Sequence, residues 1–313
     1  MATIKDIASR AGVSISTASR ALNNNPRISE VTRQRVREIA DELGYQPNYN
    51  ARNLTRGESN MVGLVFPVTG ETAPANPFHL DLMRGISMAL KPLQYEMGVA
   101  ISSTLEDLLV SVKSMVTQSK VHNFLIFYTM KDDPITAYLR DQGLNFVIIG
   151  HPVNHPTDRF VDNNNVAAGK AATDHLLKHY RIKAPVFLQT ANKWLYEQDR
   201  QHGYQQSMKN HQLSAISWEY SGDPVAIKTL LAEHPQIDGV VCVDDLLLVR
   251  LTRQLQQYNL PTICFNNSRL MGMLINQGEK VDLQPRRLGQ QAVELLFEPQ
   301  EQYRIVDFKI NEK

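Results

Sequence analysis

The fold of the N-terminal part of the chain is predicted by residues 3–23, TIKDIASRAGVSISTASRALN. Thr3 and Asp6 have the spacing of a capping box, with Asp in place of Glu, which predicts a short first helix. Gly12 allows the tight turn after that helix, and Ser14 is placed to cap a second helix. The stretch therefore predicts two short helices joined by a glycine-containing turn.

A third helix is predicted from ISEVTRQRVREIADELG, residues 28–44, where Ser29 is the cap and Gly44 ends the helix. Two short helices followed by a longer one are typical of a helix-turn-helix unit. The outward face of the second helix carries short or hydrogen-bonding groups, and Arg20 can donate two hydrogen bonds to a guanine. The alternative is a plain three-helix bundle in which the small residues only pack.

The charge distribution is consistent with a DNA-facing module on a neutral body. Residues 1–60 hold nine Lys and Arg against six Asp and Glu, while the rest of the chain holds 24 against 26. An excess of this size attracts DNA weakly, so it supports the helix-turn-helix interpretation without establishing it.

The segment YQPNYNARNLTRGESN, residues 45–60, follows the third helix. Residues 50–56 can form one or two helical turns, and a helix that short is marginal alone in water. We therefore expect it to order on DNA or against a second copy of the chain. Leu54 has no obvious core in this polar stretch, so it is predicted to act as a wedge in the minor groove. An ordinary polar linker is the alternative.

The rest of the chain alternates short apolar runs with amphipathic stretches, which predicts α/β layers with parallel sheets. The predicted strands are MVGLVFP (61–67), YEMGVAIS (95–102), NFLIFY (123–128), FVIIG (146–150), APVFLQT (184–190), GVVCV (239–243) and PTICF (261–265). The predicted helices span 79–94, 105–119, 134–142, 166–180, 198–211, 224–233, 244–258 and 286–297. Ligands of such folds bind beyond the carboxyl ends of the strands.

Several classes of protein are disfavoured. The 42% hydrophobic composition contains no run of about 18 apolar residues, and the N-terminus lacks the pattern of a signal peptide. We therefore expect a cytoplasmic, nucleoid-associated protein with no membrane partner. Cys242 and Cys264 lie in apolar runs and are predicted to be reduced, buried thiols.

An enzyme is also disfavoured, because the nucleophile-elbow, phosphate-loop and dinucleotide-binding motifs are missing from the sequence. His151 and His155 have a spacing that metal ligands use, but the prolines around them argue against one helical face. We expect no catalytic residue, no metal site and no cofactor.

Residues 3–23 and 28–54 together resemble the lactose-repressor/galactose-repressor (LacI/GalR) family of bacterial transcription regulators. The resemblance implies a homodimer that binds a pseudo-palindromic double-stranded DNA operator. It also implies a repressor with a two-lobed effector domain like the periplasmic sugar-binding proteins. By this resemblance, the expected DNA contacts are Thr3, Ser14, Ile15, Ser16, Ser19, Arg20, Asn23, Ser29, Asn48, Ala51 and Leu54.

The same resemblance implies the domain boundaries. Residues 1–56 are expected to hold the helix-turn-helix and hinge, and residues 57–313 the effector-binding and dimerisation domain. The first lobe is expected to take about 60–158 and 286–300. The second lobe is expected to take about 159–284 and 301–313. A last strand is predicted in RIVDFKINEK, residues 304–313. The resemblance implies that tetrameric members of the family carry an extra C-terminal heptad segment, whereas this sequence ends soon after that strand, so a dimer is expected.

Four segments look specifically like the maltose-type regulators of Gram-positive bacteria. They are NPFHLDLMRGI, VDNNNVAAG, the Asp199-Arg200 pair with Gly203-Tyr204, and KVDLQPRRLG. A small carbohydrate effector is therefore expected, with maltose or a related α-glucoside favoured. The alternatives are a global carbon-catabolite regulator switched by a phosphorylated partner protein, and a sugar-binding protein without a regulatory role.

Residues near the ends of predicted strands have side chains that can bind a sugar. Asp, Asn and Arg form paired hydrogen bonds with hydroxyl groups, and aromatic rings pack on the apolar faces of the sugar. Asn266 stands where the family usually has Asp, which replaces a charged acceptor with a neutral amide. The candidate effector contacts are Phe78, His79, Tyr128, Trp194, Arg200, Asp244 and Asn266.

Overall fold

The structure is a computed structural model in which the chain divides into two compact units, residues 1–58 and 59–313. The division falls two residues after the boundary expected from the sequence. The described residues are 2–22, 24–45, 59–68, 76–191, 194–223, 225–267, 279–298 and 300–311. Within those ranges, no helix is both long enough and apolar enough to cross a membrane.

The first unit contains three helices in its described part: α1 (Ile4–Ala11), α2 (Ile15–Leu22) and α3 (Glu30–Glu42). They enclose a small core of mostly short side chains, which lets the helices approach closely. The buried members are Ile7, Ala8, Ala11, Ala18, Ala21, Val36 and Ala40. The predicted three-helix pattern is confirmed.

The helix ends of this unit follow the sequence signals. The backbone N–H and the hydroxyl of Thr3 both donate to Asp6 at 2.8 Å, and these bonds lower the pKa of the Asp6 carboxyl. Gly12 ends α1 at a φ of 66°, a left-handed conformation that glycine adopts without strain. Ser14 and Ser29 accept hydrogen bonds from the third residue beyond each, at the N-termini of α2 and α3.

In its described residues, the second unit contains two six-stranded sheets. The first sheet has the strand order β11-β5-β4-β3-β1-β2, and its strands are β1 (Met61–Val65), β2 (Glu96–Ala100), β3 (Asn123–Ile126), β4 (Asn145–Ile149), β5 (Phe160–Asn163) and β11 (Tyr303–Val306). The second sheet has the order β12-β10-β9-β8-β6-β7, with β6 (Pro185–Thr190), β7 (Ile216–Tyr220), β8 (Gly239–Cys242), β9 (Thr262–Phe265), β10 (Glu279–Asp282) and β12 (Lys309–Asn311). All pairs are parallel except β10 with β12.

Helices cover both sheets, as the alternating sequence pattern predicts. They are α4 (Pro77–Leu93), α5 (Leu105–Thr117), α6 (Pro134–Asp141), α7 (Asn165–Tyr180), α8 (Leu195–Asn210), α9 (Ala226–Glu233), α10 (Asp245–Leu255) and α11 (Pro285–Phe297). Each matches a predicted helix to within a few residues at its ends. Cys242 and Cys264 are free and buried within the core of the second sheet.

The two sheets divide the second unit into a first and a second lobe, but the crossover points differ from the expected 158/159 and 300/301. Strands β5 and β11 belong to the first sheet, so the chain crosses after Asn163 and again after Val306. The segment FVDN is too short and too polar to stand out as a strand. Residues 303–311 contain two strands, one in each sheet, where the sequence suggested one.

Asn163 ties the crossover segments together. It is buried, and its side-chain amide donates to the carbonyl oxygens of Leu283 at 3.1 Å and Val306 at 2.8 Å. Leu283 lies just after β10, and Val306 is the last residue of β11. One amide therefore links all three places where the chain passes between the lobes.

Each lobe is built around a pair of helices that cross at glycines. In the first lobe, a Cβ on Gly85 of α4 would lie 1.9 Å from the carbonyl oxygen of Arg286 on α11. In the second lobe, a Cβ on Gly203 of α8 would lie 2.0 Å from the carbonyl oxygen of Val166 on α7. No side chain fits at either crossing, since the neighbour is backbone that cannot turn away.

Candidate functional site

A cavity of about 440 Å³ lies between the two lobes of the second unit. This volume is within the usual range for small-molecule sites, about 300–1,000 Å³. The structure brings together all seven residues proposed from the sequence as effector contacts. Phe78, His79 and Tyr128 line it from the first lobe, and Trp194, Arg200, Asp244 and Asn266 line it from the second.

The first-lobe wall is largely aromatic. The ring of His79 meets Phe66 edge-on at 5.3 Å between centroids and lies 5.9 Å from Phe127. Phe78 precedes it at the start of α4, where Asn76 caps the helix. Phe78 is half-buried and packs against the cores of both lobes. This wall offers ring faces and edges to a ligand.

Tyr128 is held in place by a buried carboxylate. Its hydroxyl donates to Asp133 Oδ1 at 3.1 Å, and burial together with the charge of Asp133 raises the pKa of the phenol. Asp133 also accepts two backbone N–H groups at the N-terminus of α6. Tyr128 therefore stays neutral at the edge of the cavity in a fixed orientation.

Arg200 is the central charge of the second-lobe wall, and it is only 4% exposed. Its Nε donates to Asn165 Oδ1 at 3.0 Å, and a terminal nitrogen donates to the Val243 carbonyl at 2.7 Å. The guanidinium also lies 4.6 Å from the ring centroids of both Tyr196 and Phe265. Burial lowers its pKa, but an arginine remains charged under these conditions. The side chain is locked by packing, as a binding group needs to be.

Asp244 and Asn266 come after neighbouring strands, β8 and β9, and both are buried. Asp244 caps α10 by accepting the N–H of Leu247 at 2.7 Å. Asn266 donates to Asp245 at 3.2 Å and has a φ of 77°. Its Oδ1 is buried with no hydrogen-bond donor among the described residues. An acceptor in that position costs stability unless something satisfies it, and a ligand hydroxyl can do so.

Three acidic residues of the cavity were not among the contacts proposed from the sequence: Asp162, Glu197 and Asp199. Asp162 and Asp199 lie in segments quoted for the maltose-type resemblance, but no role was assigned to them. Burial raises the pKa of Asp162 to about 7, although the N–H of Asn163 and the charge of Arg200 oppose this effect. Burial also raises the pKa of Glu197, whose carboxylate accepts hydrogen bonds from Thr190. Asp162 lies near the end of β5, which was not predicted, and Glu197 lies in the first turn of α8, ahead of the predicted start at 198. Asp199 lies within the predicted helix.

Trp194 precedes α8 and is half-buried at the cavity wall. Tyr220, at the end of β7, also lines the cavity and packs on Trp218 at 6.2 Å between centroids. The aromatic rings are therefore not confined to the first lobe, although the second lobe holds most of the charge.

The first unit presents a second candidate surface, formed by α2. Ser14, Ile15, Ser16 and Arg20 are exposed, and Ile15 remains 47% accessible to solvent. Ser19 is half-buried on the same helix. An isoleucine open to solvent next to short polar groups suits contact with base edges and a thymine methyl group.

Two further predicted DNA contacts, Thr3 and Ser29, stand at the N-termini of α1 and α3. Helix N-termini attract phosphates through their free N–H groups and dipole. The remaining predictions lie outside the described residues: Asn23, Asn48, Ala51 and Leu54, together with the expected hinge helix at 50–56.

Two family models match the chain. The model for bacterial regulatory proteins of the lacI family matches residues 3–48. The model for periplasmic binding proteins and the sugar-binding domain of the LacI family matches residues 59–263. A curated relative, the HTH-type transcriptional regulator MalR of Streptococcus pneumoniae, is 30% identical over 306 residues, which are 95% of this chain and 92% of that protein.

Solved structures with the same fold include two that cover nearly the whole chain. The Lac repressor dimer bound to operator and an anti-inducer superposes with a TM-score of 0.76 at 17% identity, over 99% of this chain and 98% of that one. A complex of the regulator CelR with cellobiose superposes with a TM-score of 0.70 at 19% identity, over 100% and 99%. At these identities the likeness establishes the fold alone.

Proposed function

Because this chain belongs to the LacI family of bacterial transcription regulators, which are DNA-binding proteins and not enzymes, we propose that a small carbohydrate in its cleft controls repression of sugar-utilisation genes. The favoured effector is maltose or a related α-glucoside, since the relative at 30% identity is a MalR regulator. Such a regulator works in the cytoplasm as a homodimer on a pseudo-palindromic operator.

The observation that carries this proposal is the cavity between the lobes, with an aromatic wall facing a buried polar wall. Sugars have apolar ring faces that pack on aromatic groups and hydroxyl rims that need fixed donors and acceptors. Arg200 and Asp244 supply those polar groups, and the unsatisfied Oδ1 of Asn266 can accept a hydroxyl. Phe78, His79, Tyr128 and Trp194 supply the rings.

On the DNA side, we assign residues 1–56 to operator binding and residues 57–313 to effector binding and dimerisation. The proposed base contacts come from the exposed face of α2, with Arg20 reading a guanine and Ser14, Ile15, Ser16 and Ser19 beside it. Thr3 and Ser29 contact phosphates. The proposed hinge contacts are those predicted from the sequence.

Allosteric control follows from the positions of the crossovers. A ligand that contacts both lobes changes the angle between them, and in the described part of the chain the crossings between the lobes are at segments joined by Asn163. In a dimer, that change alters the spacing of the two hinge segments and hence the affinity for the operator. The coupling is limited by the difference in ligand affinity between the two states.

A sugar panel tests the proposal. Maltose, longer α-glucosides, cellobiose, galactose and ribose are added separately to the full chain, and Tm is measured. At one hundred times its Kd, a true effector stabilises the unit that binds it by about 2.7 kcal/mol. Maltose is expected to raise Tm most and to change operator affinity in a gel-shift titration. If a phosphorylated partner protein alters operator binding and no sugar does, the carbohydrate proposal is wrong.

Replacing one recognition residue tests the DNA side. Arg20→Ala is expected to cost about 1–3 kcal/mol at its cognate base pair and to relax specificity there. Arg35→Ala, on α3 of the same unit, is the matched control that removes the same charge. If both variants lose the same affinity for DNA, and lose it equally on specific and random duplexes, the assigned role of Arg20 is wrong.

A further inference from the structure

Two histidines and a glutamate meet at the far end of the second lobe. His175 and His179 are one helical turn apart on α7, in the sequence HLLKH, and Glu279 is the first residue of β10. One imidazole nitrogen from each histidine and a carboxylate oxygen all lie within 4.8 Å of one another. This spacing places both imidazoles on one face of the helix, next to the carboxylate.

The contacts within this cluster are close. His175 Nε2 touches one oxygen of Glu279, and His179 Nε2 lies 4.0 Å from the other. The two imidazole rings are stacked at 5.4 Å with 14° between their planes. The Tyr180 hydroxyl donates to Glu279 Oε1 at 2.9 Å and so orients the carboxylate.

Burial makes the arrangement unusual for a simple ion pair. Glu279 is only 3% exposed, and the side chain of His175 is 14% exposed. His175 Nε2 and Glu279 Oε2 are buried and contact each other, and neither has a further hydrogen-bond partner among the described residues. Buried charges are usually paired or bound to a metal ion, so a buried carboxylate that faces two imidazole nitrogens is a candidate metal ligand.

We propose that His175, His179 and Glu279 bind a divalent transition-metal ion, with Zn²⁺ as the best match. Two imidazoles and one carboxylate form a donor set typical of zinc, with a fourth position left for water. The side chain of His179 is 53% exposed, so the site opens to solvent and a metal can enter. Mg²⁺ and Ca²⁺ prefer oxygen ligands throughout, and two nitrogen donors disfavour them.

The site is separate from the cleft between the lobes, since none of its three residues lines that cavity. Asn165, at the start of α7, does line it. Ten to fourteen residues of helix place the histidines roughly 15–21 Å from that end. A bound metal joins the last turns of α7 to β10 and stabilises the second lobe. No metal site was expected from the sequence, because Glu279 is a hundred residues from the helix.

Metal binding is tested on the full chain, freed of any affinity tag and treated with a chelator. Calorimetric titration with ZnCl₂ is expected to give one tight equivalent per chain, accompanied by a rise in Tm that MgCl₂ does not produce. Bound Co²⁺ is expected to show the visible absorption of a tetrahedral or five-coordinate site. Absence of a tight equivalent of Zn²⁺ overturns the proposal.

Three variants separate the site from chance zinc binding at surface histidines. His179→Ala and Glu279→Gln are expected to weaken Zn²⁺ binding at least tenfold and to abolish the rise in Tm. Glu279→Gln keeps an acceptor for Tyr180, and His179→Ala changes a side chain that is half in solvent. His202→Ala, an exposed histidine on α8, is the matched control and is expected to bind like the unaltered protein. If the first two variants lose stability but bind zinc normally, the cluster is an ordinary ion pair.

Discussion

The two lobes of the second unit have the same architecture but line the cleft with different chemistry. Each has a six-stranded sheet and a helix pair that crosses at glycine. The first lobe presents mainly rings, whereas the second presents the buried Arg200 among carboxylates whose pKa values are raised by burial. Two lobes of the same architecture therefore present different surfaces to a ligand: an apolar surface in the first lobe and directed hydrogen-bonding groups in the second.

The difference lies in the side chains at the carboxyl ends of the strands, because backbone architecture alone does not determine the chemistry of a site. An apolar wall tolerates ligands of similar shape, while fixed polar groups reject ligands that leave them unpaired. We therefore expect changes to the polar cleft residues of the second lobe to affect stability and specificity together, and changes to the aromatic cleft residues of the first lobe to affect mainly ligand affinity.

Removing the central charge is expected to have the largest effect. Arg200→Met leaves Asp162, Glu197 and Asp244 without the positive charge that opposes the rise in their pKa values. Breaking a buried charge network of this kind costs about 3–5 kcal/mol, and sugar binding is expected to be lost as well. Urea unfolding and calorimetry measure both effects. Arg253→Met, at an exposed arginine of α10 that does not line the cavity, is the control. Equal losses of stability and sugar binding in both variants would remove the special role of Arg200.

The helix crossings test whether the lobes are mechanically equivalent. Gly85→Ala and Gly203→Ala each place a methyl group about 2 Å from a backbone oxygen of the opposite helix. Overpacking of this kind costs at least about 1–3 kcal/mol, and the two variants are expected to lose similar amounts. Thermal unfolding of each variant measures the loss. A large effect in one lobe with none in the other would break the proposed equivalence.

The raised pKa of Asp162 predicts a pH dependence centred on the cleft. The folded value of about 7 lies above the ordinary value of 3.8, so the protonated carboxyl favours the folded state. This contribution is complete below about pH 4 and is lost as the pH rises through 7. Asp162→Asn is therefore expected to gain stability over the unaltered protein at pH 8 and to differ little at pH 4. Thermal midpoints at the two pH values check this, and a constant difference would contradict it.

The smallest effect is expected at the aromatic wall. Phe78→Ala removes a ring that lines the cavity, and is expected to weaken sugar binding by about 1–2 kcal/mol while specificity among sugars is kept. Leu93→Ala, an exposed position on the same helix, is the control for general effects on α4. Calorimetry with two sugars measures affinity and specificity. If Phe78→Ala changes which sugar is preferred, the first lobe also contributes to the recognition of the sugar hydroxyl groups.

The fold was predictable where the sequence carries a strong local pattern. Strands β1, β3, β4, β6, β8 and β9 are short apolar runs, and parallel strands covered on both faces take that composition. Strands β5, β7 and β10 escaped prediction because polar residues interrupt them, and the one strand predicted in RIVDFKINEK is divided into β11 and β12. Their pairing partners decide that they are strands, and those partners lie far away in the chain.

The candidate site divides in the same way. Arg200, Asp244 and Asn266 were found because they come directly after predicted strands or fall in a segment with a family resemblance. Asp162 was missed because β5 was not recognised. His175 and Glu279 come from a helix and a strand that only the folded second lobe brings together.

Caps, turns and periodicity are local patterns. They were therefore enough to predict the helix-turn-helix, the alternation of strands and helices, and the polar and aromatic residues at strand ends. The crossings between the lobes became visible only in the folded structure. The same holds for the carboxylates whose pKa values the charge of Arg200 lowers, and for the contact of two histidines with a buried glutamate. Those facts depend on burial and on contacts between residues distant in sequence, which no local pattern encodes.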